Sequence, residues 1–379
     1  MDNKTIVVKI GSRVLTQEDG RLNEEAARAL VEDISRLKSE KGTKVVIVTS
    51  GAVSLGRSTI GSEFGIDEGA SKKYGRVTIR EQILASIGQP KLMAFYDAEF
   101  KKYGFCCSQI LATRTDFADR DRYMSMKTVT SNLLRLGVVP IFNENDVLSP
   151  EELDFSDNDQ LASMISAMLV ADSLILLTNV DGVLDKSPND PDAKVIPLIT
   201  EVGDYIKNVD TSARSGKGGM ESKLMVADLV TSLGISVCIA NGLQKNILLK
   251  LGDADISIGT SFPPQRAKKV GAVRGWLATA AVSEGRLIVS TFIADILRKK
   301  QTASILFTGI EKIEGNFSEK DVVEVCDDEG IVLGTGMCKH SAGKLAELIE
   351  EYKNKPDVDK AKTKAADIVA IHYDYFMFS

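Results

Sequence analysis

Short apolar runs alternating with stretches of helical period set the plan of this chain. Thr5–Ile10 and Lys44–Thr49 are β-branched, nearly continuous in apolar residues and too short for helices, the pattern of strands buried on both faces. Between them Asn23–Ser39 spaces its apolar residues at helical period, with Asn23 as the capping residue and an acidic first turn. The alternation continues with strands at Phe105–Leu111, Val138–Phe142, Ser173–Thr178 and Ser236–Ala240. Helices are predicted near Asp121–Leu136, Asp159–Val170 and Gly219–Leu233. A long helical stretch from about Thr78 to Tyr103 is expected to be interrupted at Gly88-Gln89-Pro90. Short apolar strands separated by helices predict an α/β fold with a mainly parallel sheet sandwiched between helices.

Around Thr260 the pattern changes. Ser261-Phe262-Pro263-Pro264-Gln265 reads as a linker, because paired prolines continue neither a helix nor an internal strand. Beyond it come short strands with close turns at Gly285–Val289, Ser304–Phe307, Asp321–Cys326 and Ile331–Thr335. The expected division is a main domain over residues 1–260, a linker over 261–267, a small β-rich domain over 268–353 and a tail over 354–379. Gly61–Arg76, rich in Gly, Ser and charge without apolar period, reads as a surface excursion.

Composition narrows the classes. With 379 residues, 44 % apolar and 26 % charged, the chain has the make-up of an ordinary globular protein with room for two modules. A net charge of −6 without a long basic block argues against nucleic-acid binding driven by phosphate neutralisation. The most apolar helical stretch, Leu161–Val170, is broken by Ser163 and Ser166, so no membrane span is expected. No signal-peptide pattern precedes the first strand, and Cys106, Cys107, Cys238, Cys326 and Cys338 form no CxxC pair, so a reducing, cytoplasmic setting is expected. Adjacent Cys106 and Cys107 are expected to pack as small apolar residues on a strand. The histidines, His340 and His372, both fall late, which excludes a histidine triad or histidine metal cluster from the main domain.

Candidate chemistry begins where the run Val138–Phe142 ends abruptly in Asn143-Glu144-Asn145-Asp146, followed by Ser156-Asp157-Asn158-Asp159. Asp and Asn supply acceptors and paired donors at short reach, which suits a small zwitterion bearing an ammonium and a carboxylate. At the carboxyl end of a buried strand such a cluster sits where ligands bind in open α/β sheets. Glycine-bearing segments follow other strands: Lys9-Ile10-Gly11-Ser12, Thr49-Ser50-Gly51-Ala52 and Thr178-Asn179-Val180-Asp181-Gly182. A fourth, Gly216-Lys217-Gly218-Gly219-Met220-Glu221-Ser222-Lys223, opens a helix. Glycines let backbone N–H groups approach phosphate oxygens, and a helix amino terminus adds a favourable dipole. Lys9 and Lys223 each lie beside such a loop. Neither GxxxxGK[ST] nor a GxGxxG after the first strand is present, so a P-loop is excluded and a dinucleotide fold disfavoured.

Together, in this order, these segments resemble the amino acid kinase superfamily, and within it the branch that phosphorylates glutamate. Its motifs are matched by Lys9-Ile10-Gly11-Ser12, Val48–Ala52 with Gly56-Arg57, Ala85–Gln89, Asn143–Asp146, Asp157–Asp159 and Gly218–Met220 with Lys223. The C-terminal region resembles a PUA domain, including Gly275-Trp276, Val282–Gly285, Gly309-Ile310 and Gly315–Phe317. The resemblance implies that Lys9 and Lys223 neutralise a transferring phosphoryl group and that Asp159 orients them. It implies ATP, used with Mg²⁺, held by Lys9, Gly11, Ser12, Thr178, Asn179, Lys217, Gly218, Gly219, Met220, Glu221, Ser222 and Lys223. L-Glutamate would be held by Ser50, Asp146 and Asn158, with Gly51, Ala52 and Asn143 nearby; no protein metal-ligand set is implied. Proline as a feedback inhibitor and self-association as a homo-oligomer are further expectations of the family. Three positions depart from its pattern: Lys217 stands where Thr is common, Ser156 replaces Gly, and Ser125-Met126-Lys127 replaces an Asn-Ala-Arg-like stretch.

Physical chemistry supports the same class. A side-chain carboxylate, with an unperturbed pKa of ~4.3, is already a nucleophile at neutral pH and needs no general base. What the reaction needs is alignment and positive charge against two mutually repelling anions. Other acceptors in the superfamily (aspartate, carbamate, a phosphate monoester) are the alternative, though phosphate acceptors call for more basic residues than these segments offer. An RNA-binding role for the PUA-like region is disfavoured, since Lys268–Lys353 holds 12 Lys and Arg against 13 Asp and Glu.

Overall fold

The computed structural model describes residues 4–60, 77–148, 158–186, 190, 192–203, 205, 219–252, 258–266, 269–271, 275–277, 285–301, 303–355 and 368–378. Two compact units are present, one of Met1–Asp116 with Arg122–Val270, the other of Phe117–Asp121 with Gly271–Ser379.

The first unit is built on a seven-stranded sheet. Its strands are β1 (Thr5–Ile10), β2 (Lys44–Val48), β3 (Cys107–Ala112), β4 (Val139–Glu144), β5 (Ser173–Thr178), β6 (Ser236–Asn241) and β7 (Thr260–Phe262), in the order β3-β4-β2-β1-β5-β6-β7. The first six run parallel, and β7 closes the edge antiparallel to β6. Connections from β1 lead to β2 on one side, while β5 and β6 build outwards on the other. That reversal opens a crevice at the carboxyl ends of the central strands.

Among the described residues its helices are α1 (Ser12–Leu15), α2 (Glu24–Lys41), α3 (Ala52–Ile60), α4 (Val77–Lys102), α5 (Arg114–Ala118), α6 (Arg120–Arg135), α7 (Asn158–Leu169), α8 (Met220–Ser232) and α9 (Ile247–Gly252), the end of α5 and the start of α6 belonging to the second unit. Asn23 caps α2 as its sequence predicts, accepting from Ala26 N at 3.3 Å, and left-handed Gly42 (φ 65°) ends it. Val8, Ile10, Leu30, Ile34, Ile47, Tyr96, Phe100, Ile141 and Leu177 belong to one buried cluster that fuses strands and helices. None of the described helices is long and apolar enough to cross a membrane.

Helix α4 runs unbroken through Gly88-Gln89-Pro90, against the interruption read from sequence. A Cβ on Gly88 would lie 1.8 Å from the Ala52 carbonyl, and one on Gly56 would lie 1.9 Å from the Leu84 carbonyl. The glycines are therefore sites where α3 and α4 touch backbone to backbone. Pro90 removes one N–H from the helix ladder without ending it.

The second unit has a five-stranded sheet in the order β10-β8-β11-β12-β14 and a two-stranded sheet of β13 and β9. Its strands are β8 (Arg286–Val289), β9 (Ile305–Leu306), β10 (Ile310–Glu314), β11 (Val322–Cys326), β12 (Val332–Met337), β13 (Val369–Ile371) and β14 (Phe376–Phe378). Helices α10 (Thr291–Arg298) and α11 (Ala342–Asn354) pack with them. Its buried cluster, with Leu287, Val289, Leu297, Phe307, Val325, Leu345, Ile371 and Phe376, is separate from that of the first unit.

Three boundaries differ from the sequence reading. The first unit extends to Val270, and the stretch read as linker begins inside β7, where Phe262 is buried opposite Val237. Residues 368–378, read as tail, supply β13 and β14. Cys106 is exposed and precedes β3 rather than packing within it. Paired prolines and the charged sequence before Ile368 mark composition, whereas strand pairing is decided by distant partners.

Candidate active site

Charged and amide side chains converge where the central strands end. Lys9 is the penultimate residue of β1, Asp159 lies in the first turn of α7, and Lys223 in the first turn of α8. The Lys9 Nζ stands 2.7 Å from Asp159 Oδ1, and the Lys223 Nζ donates to Asp159 Oδ2 at 2.9 Å. All three are buried, Asp159 completely. Two ammonium groups thus flank one carboxylate in a water-poor place. Charges are buried at such cost only when they are paired or await a counter-ion. Two ammonium groups side by side are a setting that suits an anionic ligand.

Around this triad lie the glycine-bearing segments read from the sequence. Gly11 follows β1, its N–H donating to the Leu177 carbonyl at 3.0 Å, and a Cβ there would lie 2.9 Å from that oxygen. Gly219 is the residue before the thirteen-residue α8 and has no side chain with which to cap its amino-terminal N–H groups. Met220, Glu221 and Ser222 form the first turn with Lys223, while Lys217 and Gly218 lie outside the described residues. Thr178 ends β5, and its carbonyl accepts from Gly242 N at 2.8 Å. Asn179 beside it is exposed, as is Ser12 at the start of α1.

A second group forms on the other side of β1. Asn158 Nδ2 donates to the Thr49 carbonyl at 2.8 Å, to Ser50 Oγ at 3.1 Å and to Asn143 Oδ1 at 3.1 Å. Asn158 Oδ1 is buried and has no hydrogen-bond partner among the described residues. Gly51 is left-handed (φ 99°), turning the chain from β2 into α3, whose first residue is Ala52. Asp146 is half-buried in the turn after β4, three residues past Asn143. Asp157 and Ser156 lie outside the described residues, as does Gly61–Arg76.

The structure thus separates the sequence-derived residues into two sets. Lys9, Asp159 and Lys223 make one; Ser50, Asn143 and Asn158 make the other; consecutive Asn158 and Asp159 on α7 join them. Sequence reasoning placed Gln89 in a family motif but gave it no role; its Oε1 accepts from Asn143 Nδ2 at 2.8 Å, and Tyr96, which sequence reasoning missed, has its hydroxyl 3.1 Å from Thr49 Oγ1. It also missed the loop knot in which Asp181 Oδ1 accepts from Asn241 Nδ2 at 2.9 Å and Gln244 Nε2 at 3.0 Å, next to Thr178. Beyond that motif, seven-residue spacing places Gln89 and Tyr96 on one face of a helix, which was the signal available for Tyr96. Asp181 and Gln244, 63 positions apart, gave none.

Known proteins supply independent findings. Residues 4–241 match the model of the amino acid kinase family, and residues 285–357 match the PUA domain. The glutamate 5-kinase of Bacteroides thetaiotaomicron is 35 % identical over 373 residues, 98 % of this chain and 97 % of its own. That of Caldanaerobacter subterraneus subsp. tengcongensis is 37 % identical over 346 residues, 90 % of each chain. Among solved structures, an isopentenyl phosphate kinase aligns over 68 % of this chain and 99 % of its own at 19 % identity, with a TM-score of 0.48.

Proposed function

This chain belongs to the amino acid kinase family, and we infer that it does the work of a glutamate 5-kinase, transferring the γ-phosphoryl group of ATP to the side-chain carboxylate of L-glutamate on the way to proline. Within the molecule the reading rests above all on the buried Lys9–Asp159–Lys223 triad standing beside the amide cluster of Asn158.

The glutamate carboxylate attacks the γ-phosphorus, the bond to the β–γ bridging oxygen breaks, and ADP leaves with the electron pair. No proton moves at the reacting oxygen, so no base is required. Lys9 and Lys223 lower the repulsion between the anions and stabilise charge on the transferring oxygens, with Asp159 keeping both ammonium groups in place before substrate arrives. Mg²⁺ would enter with the nucleotide and would supply further positive charge. Gly11, Ser12, Thr178, Asn179 and the segment from Lys217 to Lys223 serve ATP. Ser50, Asp146 and Asn158, with Gly51, Ala52 and Asn143, serve glutamate. Asp146 is suited to the ammonium, and the buried Asn158 Oδ1 is an acceptor that a substrate-bound loop arrangement would use.

A cytoplasmic location, feedback by proline at or near the glutamate pocket and a homo-oligomeric state form part of this proposal. Five free thiols support the first; the family supports the others. The test is an ATP-consumption screen over glutamate, aspartate, carbamate and UMP, with hydroxylamine trapping. The expected product is γ-glutamyl hydroxamate. Rapid turnover of another acceptor with none of glutamate overturns the assignment.

A further inference from the structure

Two backbone groups settle the orientation of three side-chain amides. The Glu144 N–H, 3.0 Å from the Asn143 side chain, can only donate, so the atom facing it is Oδ1. The Thr49 carbonyl can only accept, so the Asn158 atom 2.8 Å away is Nδ2. Asn143 therefore turns its Nδ2 to Gln89, and the Gln89 atom 2.8 Å from it is the oxygen. Oxygen and nitrogen positions along this chain are thus fixed by chemistry.

Gln89 is buried, and its depth is fixed by its neighbour: α4 rests on α3 at Gly88, where no side chain fits against the Ala52 carbonyl. Two turns further along the same face, Tyr96 meets Thr49. Helix α4 thus buttresses the ends of β2 and β4 at two polar points. Resting on the reading that this pocket takes glutamate, we propose that Gln89 is a positioning residue for it. Its carboxamide oxygen holds the Asn143 amide so that Asn143 Oδ1, Thr49 and Ser50 together fix Asn158. Without that acceptor the Asn143 nitrogen is left buried and unpaired. It turns to find a partner and releases Asn158.

The consequence falls on glutamate rather than on ATP, because the amide group and the lysine triad are separate sets. Gln89→Met keeps the volume and removes the acceptor. It should raise the KM for glutamate about three- to tenfold, the span of one lost neutral hydrogen bond, and leave kcat and the KM for ATP within about twofold. Asn143→Ala supplies the second half of a double-mutant cycle: in that background Gln89→Met should shift the glutamate KM less than about twofold, since the group it positions is gone. Should the Met variant not fold, Gln89→Ser, too short to reach Asn143, carries the same expectation. Equal shifts in both backgrounds, or a shift confined to ATP, overturn the positioning role while leaving the reaction intact. A parent protein that folds but forms no hydroxamate from glutamate overturns both.

Discussion

Lys9 and Lys223 share one carboxylate, and that sharing determines what each contributes. Each ammonium is held within 3 Å of a different oxygen of Asp159, so neither needs to reorganise when the phosphoryl group arrives. A preorganised charge on a transition state is typically worth about 3–4 kcal/mol. Lys9→Ala and Lys223→Ala should therefore each lower kcat roughly a hundredfold or more while the far-ultraviolet spectrum stays native. A folded variant with near-parental kcat would return that lysine to the class of structural residues. Asp146 differs in kind. The proposed contact of Asp146 to the substrate ammonium would exist in ground and transition states alike, so losing it would raise KM and spare kcat. With charge-assisted hydrogen bonds worth roughly 1.5–3 kcal/mol, Asp146→Asn should raise the glutamate KM about ten- to a hundredfold and hardly move that of ATP. Steady-state kinetics with each substrate varied in turn decide it, and a large ATP effect with unchanged glutamate KM would assign the turn to the nucleotide. Lys9, Asp159 and Lys223 were each legible beside a strand end or a helix start. Their meeting was not, since 150 and 64 positions separate the partners and the fold alone closes those distances.

Among the elements, the small helix α9 is held by a charge from elsewhere. Asp33 of α2 is buried, and its Oδ2 accepts from Leu248 N at 3.0 Å, capping the amino terminus of α9. Burial raises its carboxyl from 3.8 to about 6, with the α9 backbone N–H groups opposing the shift. A raised acid binds its proton more tightly when folded, so its ionisation costs stability. That cost is absent below the unfolded value, grows between pH 4 and 6 and is complete above about 6. Asn keeps an acceptor and carries no charge. Asp33→Asn should therefore gain stability at pH 8 relative to the parent, by about 1–3 kcal/mol, and lose that advantage as pH falls towards 4. Thermal melts across this range are the measurement, and an advantage independent of pH contradicts the argument. Element starts and periods were largely legible: β1 and β5 match the sequence reading residue for residue, and α2 begins at its predicted cap. The supposed break in α4 failed because glycine there answers to a neighbouring backbone, not to local propensity. α10 was hidden among short strands, where eight residues carry too little period.

For the whole molecule, each unit has its own buried cluster, drawn from residues 6–248 and 287–376 respectively. The proposed catalytic set, Lys9, Asp159 and Lys223, lies wholly within the first. A chain ending at Val270 should therefore fold and keep ATP-dependent hydroxamate formation, with a glutamate KM within about threefold of the parent. The cut removes Trp276, whose indole N–H donates at 2.7 Å to the carbonyl of Phe117 within the second unit, so loosening should centre on Phe117–Asp121, the part of that unit left behind. A folded but inactive truncation would show that the second unit completes the site. The composition shift near Thr260 correctly announced a change of architecture. Its position was blurred because β7 and the terminal strands find their partners by long-range pairing.

Whether the side-chain carboxylate of glutamate itself takes the phosphoryl group is open to direct measurement. Glutamate labelled with ¹⁸O in that carboxylate, turned over with ATP and trapped with hydroxylamine, releases inorganic phosphate by cleavage at the acyl carbon. The account predicts that each phosphate so released carries one ¹⁸O from glutamate. Phosphate free of the label, formed at the same rate as ADP, would mean that water accepts the phosphoryl group, and the assignment of this site to glutamate would fall.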